Sequence, residues 1–299
     1  VQVLTENSYF FRLSKYEKRL LEYFSKNPEM IQPPFRIDEV KNFISQGLTD
    51  LSITRQTSSW GIQSPTPEKY SVYVWFDALL NYLTGVGFKD GKPGRYWPPD
   101  VQLIGKDILR FHTIIWPAIL MALNLPLPGK IFAHGWWTVE SEKISKSKGN
   151  IVDPVYLMER YGTDGFRYFL LREVTFGLDG EYSEEKFIKR YNSDLANDLG
   201  NLVNRTINLV EKLFGGVFPE SNISTDMERL IDNVIAEVER SMLNISFTDA
   251  LDNIWKIINE LNKLLDREKP WNASLDSARH TISQCISGIS IVSMLIYPF

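Results

Sequence analysis

The sequence predicts an α/β protein: a parallel sheet in its first half, followed by an all-helical bundle. Three observations carry this expectation. Short apolar segments rich in β-formers alternate with longer helical patterns as far as Ala133. Beyond Ile151 strand signals stop, and patterns of helical period continue to the last residues. The chain has 299 residues, 43% of them hydrophobic and 13% aromatic, enough for a large core and for two domains.

The elements follow in order. Lys15 to Phe24 has helical spacing, Pro33-Pro34 interrupts it, and a second helix is expected from Ile37 to Ser45. After Gly47, Asp50 to Arg55 reads as a strand. Tyr70 to Phe76 reads as another and leads to a helix starting near Asp77. Val101 to Gly105 leads to a helix from Asp107 to Leu123, and Ile131 to Ala133 leads toward a lysine-rich loop. Ligands of parallel sheets bind at the carboxyl ends of the strands. Gly105-Lys106-Asp107 and His134-Gly135 stand at such ends. Helices are then expected over Pro154–Arg160, Thr163–Val174, Ser183–Phe214, Asp226–Leu243, Phe247–Arg267 and Ser274–Leu295. Ser183, and Thr225 or Asp226, supply the caps.

Net charge is -4, with a sequence pI near 5.6. Nucleic-acid contact therefore rests on local lysines and arginines and not on a global basic field. Cys285 is the single cysteine, so neither an internal disulfide nor a zinc site is expected, and a reducing cytoplasm is the natural compartment. Serines and Gln284 interrupt the apolar run from Ile282 to Phe299, which reads as buried helix and not a membrane span. The start at Val1 and the stop at Ile296-Tyr297-Pro298-Phe299 both read as cuts in a longer chain.

Four groups of residues point to chemistry. Lys143-Ile144-Ser145-Lys146-Ser147-Lys148-Gly149-Asn150 is a hydroxyl-bearing cationic loop suited to transient polyphosphate binding, although a bare Lys/Ser cluster is commonly a solvated loop. Ile108, His112 and Trp116 share a helix face, and Trp75, Ala78, Leu79 and Tyr82 form a neighbouring wall. The two make an aromatic pocket with His112 and Tyr82 as polar tips, fit for a linear apolar or thioether side chain, unless these aromatics are simply core. Asp107 follows Gly105 at a strand end, placed either to accept from ribose hydroxyls or to cap its helix. Asn197, Asn201 and Arg205 recur every four residues, and Trp271 follows a helix end, where an unstacked base can be read and stacked.

Taken together, these residues resemble the class I aminoacyl-tRNA synthetases, and within them the methionyl-tRNA synthetases. Lys143-Ile144-Ser145-Lys146-Ser147 is similar to the class signature KMSKS, with isoleucine in place of methionine. Tyr73 to Ala78, Ile104 to His112, Phe132 to Trp136, Asn201 to Arg205 and Lys269-Pro270-Trp271 are similar to segments of the methionine enzymes. The resemblance implies the second half of a Rossmann-like catalytic domain over residues 1–135, carrying the tail of the connective insertion. It implies a lysine-loop and stem-contact region over 136–180 and an α-helical anticodon-binding domain over 181–299. The implied activity is ATP-dependent formation of methionyl-adenylate, then transfer of the methionyl group to methionine tRNA. Lys143 and Lys146 would act on the leaving pyrophosphate, with Ser145 and Ser147 beside them on ATP. Gly105 and Asp107 would hold the ribose, and His134, Gly135 and Trp136 would frame the adenine. Trp75, Ala78, Leu79, Tyr82, Ile108 and His112 would enclose methionine, and Asn201, Arg205 and Trp271 would read the first anticodon base. ATP with Mg2+ is the implied substrate, and no metal ligands are expected here.

Leu79 stands where the family often has proline. The class signature His-x-Gly-His is absent, because His112, His134 and His280 do not form it. The chain is therefore expected to be a C-terminal piece, inactive without an N-terminal half that also carries any zinc-bearing insertion. Two other readings stay open: a class I relative specific for leucine, isoleucine, valine or cysteine, and a non-catalytic tRNA-binding module.

Overall fold

The computed structural model describes residues 7–56, 60–140, 142–144 and 152–299, and the chain divides into two compact units, Val1–Gly135 and Trp136–Phe299. The first unit is built on a three-stranded parallel sheet in the order Ile31–Gln32, Lys130–His134, Val101–Gly105. Register pairs Gly105 with His134, so both stand side by side at the carboxyl edge. Along the Val101–Gly105 strand Gln102 and Ile104 turn inward, while Val101 and Leu103 stay exposed. Helices Glu17–Lys26 and Phe35–Ser45 bury Leu20 and Phe24, and Ile37, Val40 and Ile44, in the same core. Those positions recur at three- and four-residue spacing, the period of an amphipathic helix.

Two expected parallel strands are not in this sheet. Asp50 to Arg55 breaks into Leu51–Ser52 and Thr54–Arg55, and Tyr70 to Phe76 contributes only Ser71–Val72. Thr54–Arg55 and Ser71–Val72 pair antiparallel with each other, and Leu51–Ser52 pairs antiparallel with Phe10–Phe11. From Val74 the aromatic run becomes the helix Val74–Gly85, whose Leu79 and Leu83 are buried. Core burial at helical spacing overrides β-propensity there. The third parallel strand, Ile31–Gln32, lies beside Pro33, where the two prolines concealed it.

The helix expected from Asp107 to Leu123 exists, but it changes winding along its length. It opens as a 3-10 turn at Lys106–Ile108, widens to π geometry at Phe111–Ile115, and continues as α-helix over Trp116–Ala122.

The second unit opens with a small sheet in the order Gly180–Glu181, Trp137–Val139, Glu142–Lys143. The strand Gly180–Glu181 corrects the expectation that strands end before Ile151. Helices Pro154–Tyr161 and Thr163–Arg172 follow, and then one continuous helical run that is α at Glu184–Arg190, π at Tyr191–Gly200 and α again at Asn201–Phe214. Helices Thr225–Leu243, Phe247–Glu268 and Leu275–Ile296 complete the bundle. Ser183 caps its helix as expected, whereas Ser224, one residue before Thr225, caps the next by accepting from Met227 N–H. The bundle core includes Leu202, Leu209, Ile231, Val234, Ile254, Ile258, Leu261 and Ile282. Cys285 lies in it, and burial pushes its thiol up to about 12, so it packs as a small apolar side chain.

A buried ionic knot joins three elements of this unit. Asp194, 5% exposed, accepts from Tyr168 Oη at 2.7 Å, Ser193 Oγ at 2.6 Å, Arg172 Nε at 3.3 Å and Arg190 at 3.4 Å. Arg172 also pairs with Asp252, and Arg190 with Glu173 at 2.9 Å. The knot ties the Thr163–Arg172 helix and the π segment to the Phe247–Glu268 helix. Among the described residues, no helix is long and apolar enough to cross a membrane.

Candidate functional site

At the carboxyl edge of the parallel sheet, the Asp107 side chain folds back over Gly105. A Cβ on Gly105 would stand 2.6 Å from Asp107 Oδ1 and 3.9 Å from His134 Cε1. Glycine here serves close approach and not an unusual φ, since its backbone is extended. The sheet register thus brings together three of the residues expected around a nucleotide. A cleft of about 670 Å³ opens beside them, lined by Arg55, Tyr73, Lys106, Asp107, Arg110 and Phe111 among others. Arg55 was not foreseen as a site residue. Its guanidinium lies 4.3 Å from the Tyr73 ring centroid and is held by Ser52 and the Thr54 carbonyl.

The aromatic residues assemble at the junction of the Val74–Gly85 helix and the π turn Phe111–Ile115. Trp75 stacks on Phe111 with centroids 4.0 Å apart and planes 15° off parallel. Tyr82 meets His112 edge-on at 5.7 Å and Trp116 at 5.8 Å. Phe111 is an addition to the expected set, and the signal for it was adjacency to His112 in an aromatic helix start. Ala78 is exposed, but Leu79 is 1% exposed and belongs to the core, as does the fully buried Trp116.

The two polar tips satisfy each other. His112 Nδ1 lies 3.1 Å from the Ile108 carbonyl, which can only accept, so Nδ1 carries the proton. Nε2, 2.9 Å from Tyr82 Oη, then accepts from the phenol. Burial lowers the His112 pKa, only partly offset by the Ile108 hydrogen bond, and burial raises that of Tyr82. Both are neutral at physiological pH. Two neutral, mutually bonded polar groups among aromatic rings suit an uncharged, polarizable neighbour and penalise an ionised one.

Trp136 belongs to the second unit. Its backbone N–H donates to Asp179 Oδ1 at 2.9 Å and its carbonyl accepts from Gly180 N–H at 2.8 Å. Lys143 lies in the strand Glu142–Lys143, while Ser145, Lys146 and Ser147 fall outside the described residues. Among the described residues, no group of three or more His, Cys, Asp or Glu side chains is placed to hold a metal ion.

On the bundle, Asn197, Asn201 and Arg205 line one cleft of about 390 Å³, together with Asp198, Asn259, Asn262, Lys263 and Asp266. Arg205 is fixed from two sides: it bonds Asp266 Oδ1 at 2.6 Å and lies 5.7 Å from the ring centroid of Trp271, which is 41% exposed. The facing residues Asn259, Asn262, Lys263 and Asp266 were missed, although their spacing along the Phe247–Glu268 helix marks a polar stripe.

A family model described as tRNA synthetases class I (M) matches residues 2–207. The chain belongs to that family. Among curated relatives of these class I synthetases, a methionine--tRNA ligase of Caldanaerobacter subterraneus subsp. tengcongensis is 48% identical over all of this chain and 49% of its own length. A methionine--tRNA ligase of Bacillus subtilis is 46% identical over all of this chain and 47% of its own length. Among solved class I synthetases, Mycobacterium tuberculosis methionyl-tRNA synthetase in complex with methionyl-adenylate aligns with a TM-score of 0.92 at 43% identity. The alignment covers 98% of this chain and 60% of that one. The apo form aligns with a TM-score of 0.88 at 41% identity, covering 97% and 60%. The chain spans about half the length of the curated relatives it matches.

Proposed function

We propose that the chain is the nucleotide-loop, methionine-pocket and anticodon-reading portion of a methionine-tRNA ligase. The observation that carries this reading is the neutral Tyr82–His112 pair, beside the stacked rings of Trp75 and Phe111. In the proposed reaction the methionine carboxylate attacks the α-phosphorus of ATP, and the bond to the bridging oxygen breaks to release pyrophosphate. The methionyl group of the adenylate then passes to the terminal ribose of methionine tRNA. Trp75, Ala78, Tyr82, Ile108, Phe111 and His112 enclose the thioether, with Leu79 and Trp116 backing them from the core. Asp107 accepts from the ribose hydroxyls beside Gly105, and His134, Gly135 and Trp136 frame the adenine. The Trp136 backbone is bonded to Asp179 and Gly180. Lys143 and Lys146, with Ser145 and Ser147, neutralise charge on the leaving pyrophosphate, and the ATP enters with Mg2+. Asn201, Arg205 and Trp271 read the first anticodon base. The partner implied is the other half of the enzyme, supplying His-x-Gly-His, and the proposed setting is the cytoplasm.

Two measurements test the reading. The chain by itself is expected to give no methionine-dependent ATP–pyrophosphate exchange. Addition of the N-terminal half of a methionine--tRNA ligase relative is expected to restore exchange for methionine and not for leucine, isoleucine, valine or cysteine. Exchange by the chain alone, or restoration by another amino acid, overturns the assignment. In the restored enzyme Gly105→Ala pushes the Asp107 carboxylate aside. The expected result is a KM for ATP raised about tenfold, the loss of one charge-assisted hydrogen bond. The melting temperature is expected to hold, because Asp107 is exposed. An unchanged KM removes Asp107 from the ribose.

A further inference from the structure

We propose that Asn262 is a positioning residue for base reading: it clips the exit of the π segment Tyr191–Gly200 and so sets how Asn197, Asn201 and Arg205 face their cleft. The inference rests on the reading of that cleft as the anticodon site.

The reading stripe straddles a change of winding. Asn197 lies in the π segment, whereas Asn201 and Arg205 lie in the α-helix Asn201–Phe214. Where a ladder returns from i→i−5 to i→i−4 bonding, successive N–H groups skip a carbonyl, so the backbone there is held less fully by its own ladder. At this exit the Asn201 N–H reaches both Ala196 O and Asp198 O. Asp198 O also accepts from Asn262 Nδ2 at 3.0 Å across the helix pair, and Asn262 Nδ2 reaches Ile258 O at 3.2 Å in its own helix, so a carbonyl at the exit is pinned from outside as well as by its own ladder. Gly200 completes the arrangement, since a Cβ there would stand 2.9 Å from the Leu195 carbonyl.

One turn further along the same face, Asp266 holds Arg205. The Phe247–Glu268 helix therefore grips the reading helix at two successive turns, once through a backbone carbonyl and once through the guanidinium. The first grip governs geometry. A π turn advances each residue through a smaller angle than an α turn, so relaxation of the segment to α winding swings Asn197 away from the face shared by Asn201 and Arg205. π turns are costly and persist where surrounding contacts over-determine them.

The test uses the whole chain and anticodon stem–loop RNA hairpins, one bearing CAU and one with its first anticodon base replaced. Asn262→Ala is expected to cut the preference for CAU about tenfold, the worth of one lost hydrogen bond and the reorientation it permits. In an Asn201→Ala background the same change is expected to remove nothing further from the preference. Amide exchange over residues 191–200 is expected to accelerate while that of the Phe247–Glu268 helix holds, and Asn262→Ser, which keeps a donor, is expected to recover part of both effects. An unchanged CAU preference, an equal loss for both hairpins, or full additivity with Asn201→Ala overturns the proposal. A wild-type chain with no CAU preference defeats the anticodon reading itself, and the exchange measurement then still decides whether Asn262 holds the π segment.

Discussion

Asp194→Ala is expected to destabilise the helical unit by about 3–5 kcal/mol, the usual consequence of removing one partner from a buried ion pair. The truncation leaves Arg172 and Arg190 facing each other without the carboxylate they share and strips the buried Tyr168 hydroxyl of its acceptor. Asp194→Asn keeps the shape and one acceptor, so a smaller loss is expected. Amide exchange of the Phe247–Glu268 helix measures both, and native protection in Asp194→Ala would show that the knot is not structural. The pH dependence has a definite sign. Burial raises the Asp194 pKa, but hydrogen bonds from Ser193 and Tyr168 and the charges of Arg190 and Arg172 outweigh it, so the folded value lies below the ordinary one. Stability from this group is then complete above the unfolded carboxylate pKa of about 4 and is lost as pH falls through the depressed folded value. An acid titration of Asp194→Asn should lack that component.

Lys146→Ala, placed in the complete two-part enzyme, is expected to slow adenylate formation about 10²–10³-fold with little change in methionine affinity. That is the range for removing one preorganised group that meets charge as it develops. The separation of the two effects carries the argument: in the proposed reaction the methionine side chain meets residues of the first unit's helices, whereas the lysine acts on phosphate. Pre-steady-state adenylate formation together with methionine binding measures the split. An unaltered exchange rate would remove Lys146 from the chemistry, and a parallel loss of methionine affinity would mean that the substitution damaged the fold.

Much of the molecule was legible in the sequence because local rules and tertiary packing agree there. The long bundle helices announced themselves by apolar period, and Ser183 caps as read, whereas Ser224 and not Thr225 or Asp226 caps the next. The Gly105–His134 juxtaposition followed from two apolar strands ending in small or polar residues. Illegible features were those decided by partners distant in sequence. Tyr70 to Phe76 carries β-forming residues, yet Leu79 and Leu83 draw the following residues into a helix packed on the core. Ile31–Gln32 becomes a strand only because Ile131 and Phe132 lie beside it. The two π segments have no signature in amino-acid type, and the Asn262 contact at one of them joins residues 64 apart in sequence. The bland alternative was right for Leu79 and Trp116, which are core, and incomplete for Tyr82 and His112, whose mutual bond no periodicity reveals.

The order of strands in the parallel sheet has a kinetic consequence. Its central strand, Lys130–His134, is the last of the three along the chain, and the two flanking strands pair with it and not with each other. Neither flanking strand meets this partner until residue 134 has emerged, and the Ile31–Ile131 pairing then closes a loop of 131 − 31 = 100 residues. In the bundle, successive helices from Thr225 to Ile296 pack on their sequence neighbours, although the ionic knot and the Asn262–Asp198 bond also span long separations. Pairing in the sheet is thus a slow step in assembly, and its waiting apolar strands are the segments a ribosome-associated chaperone would have most reason to cover.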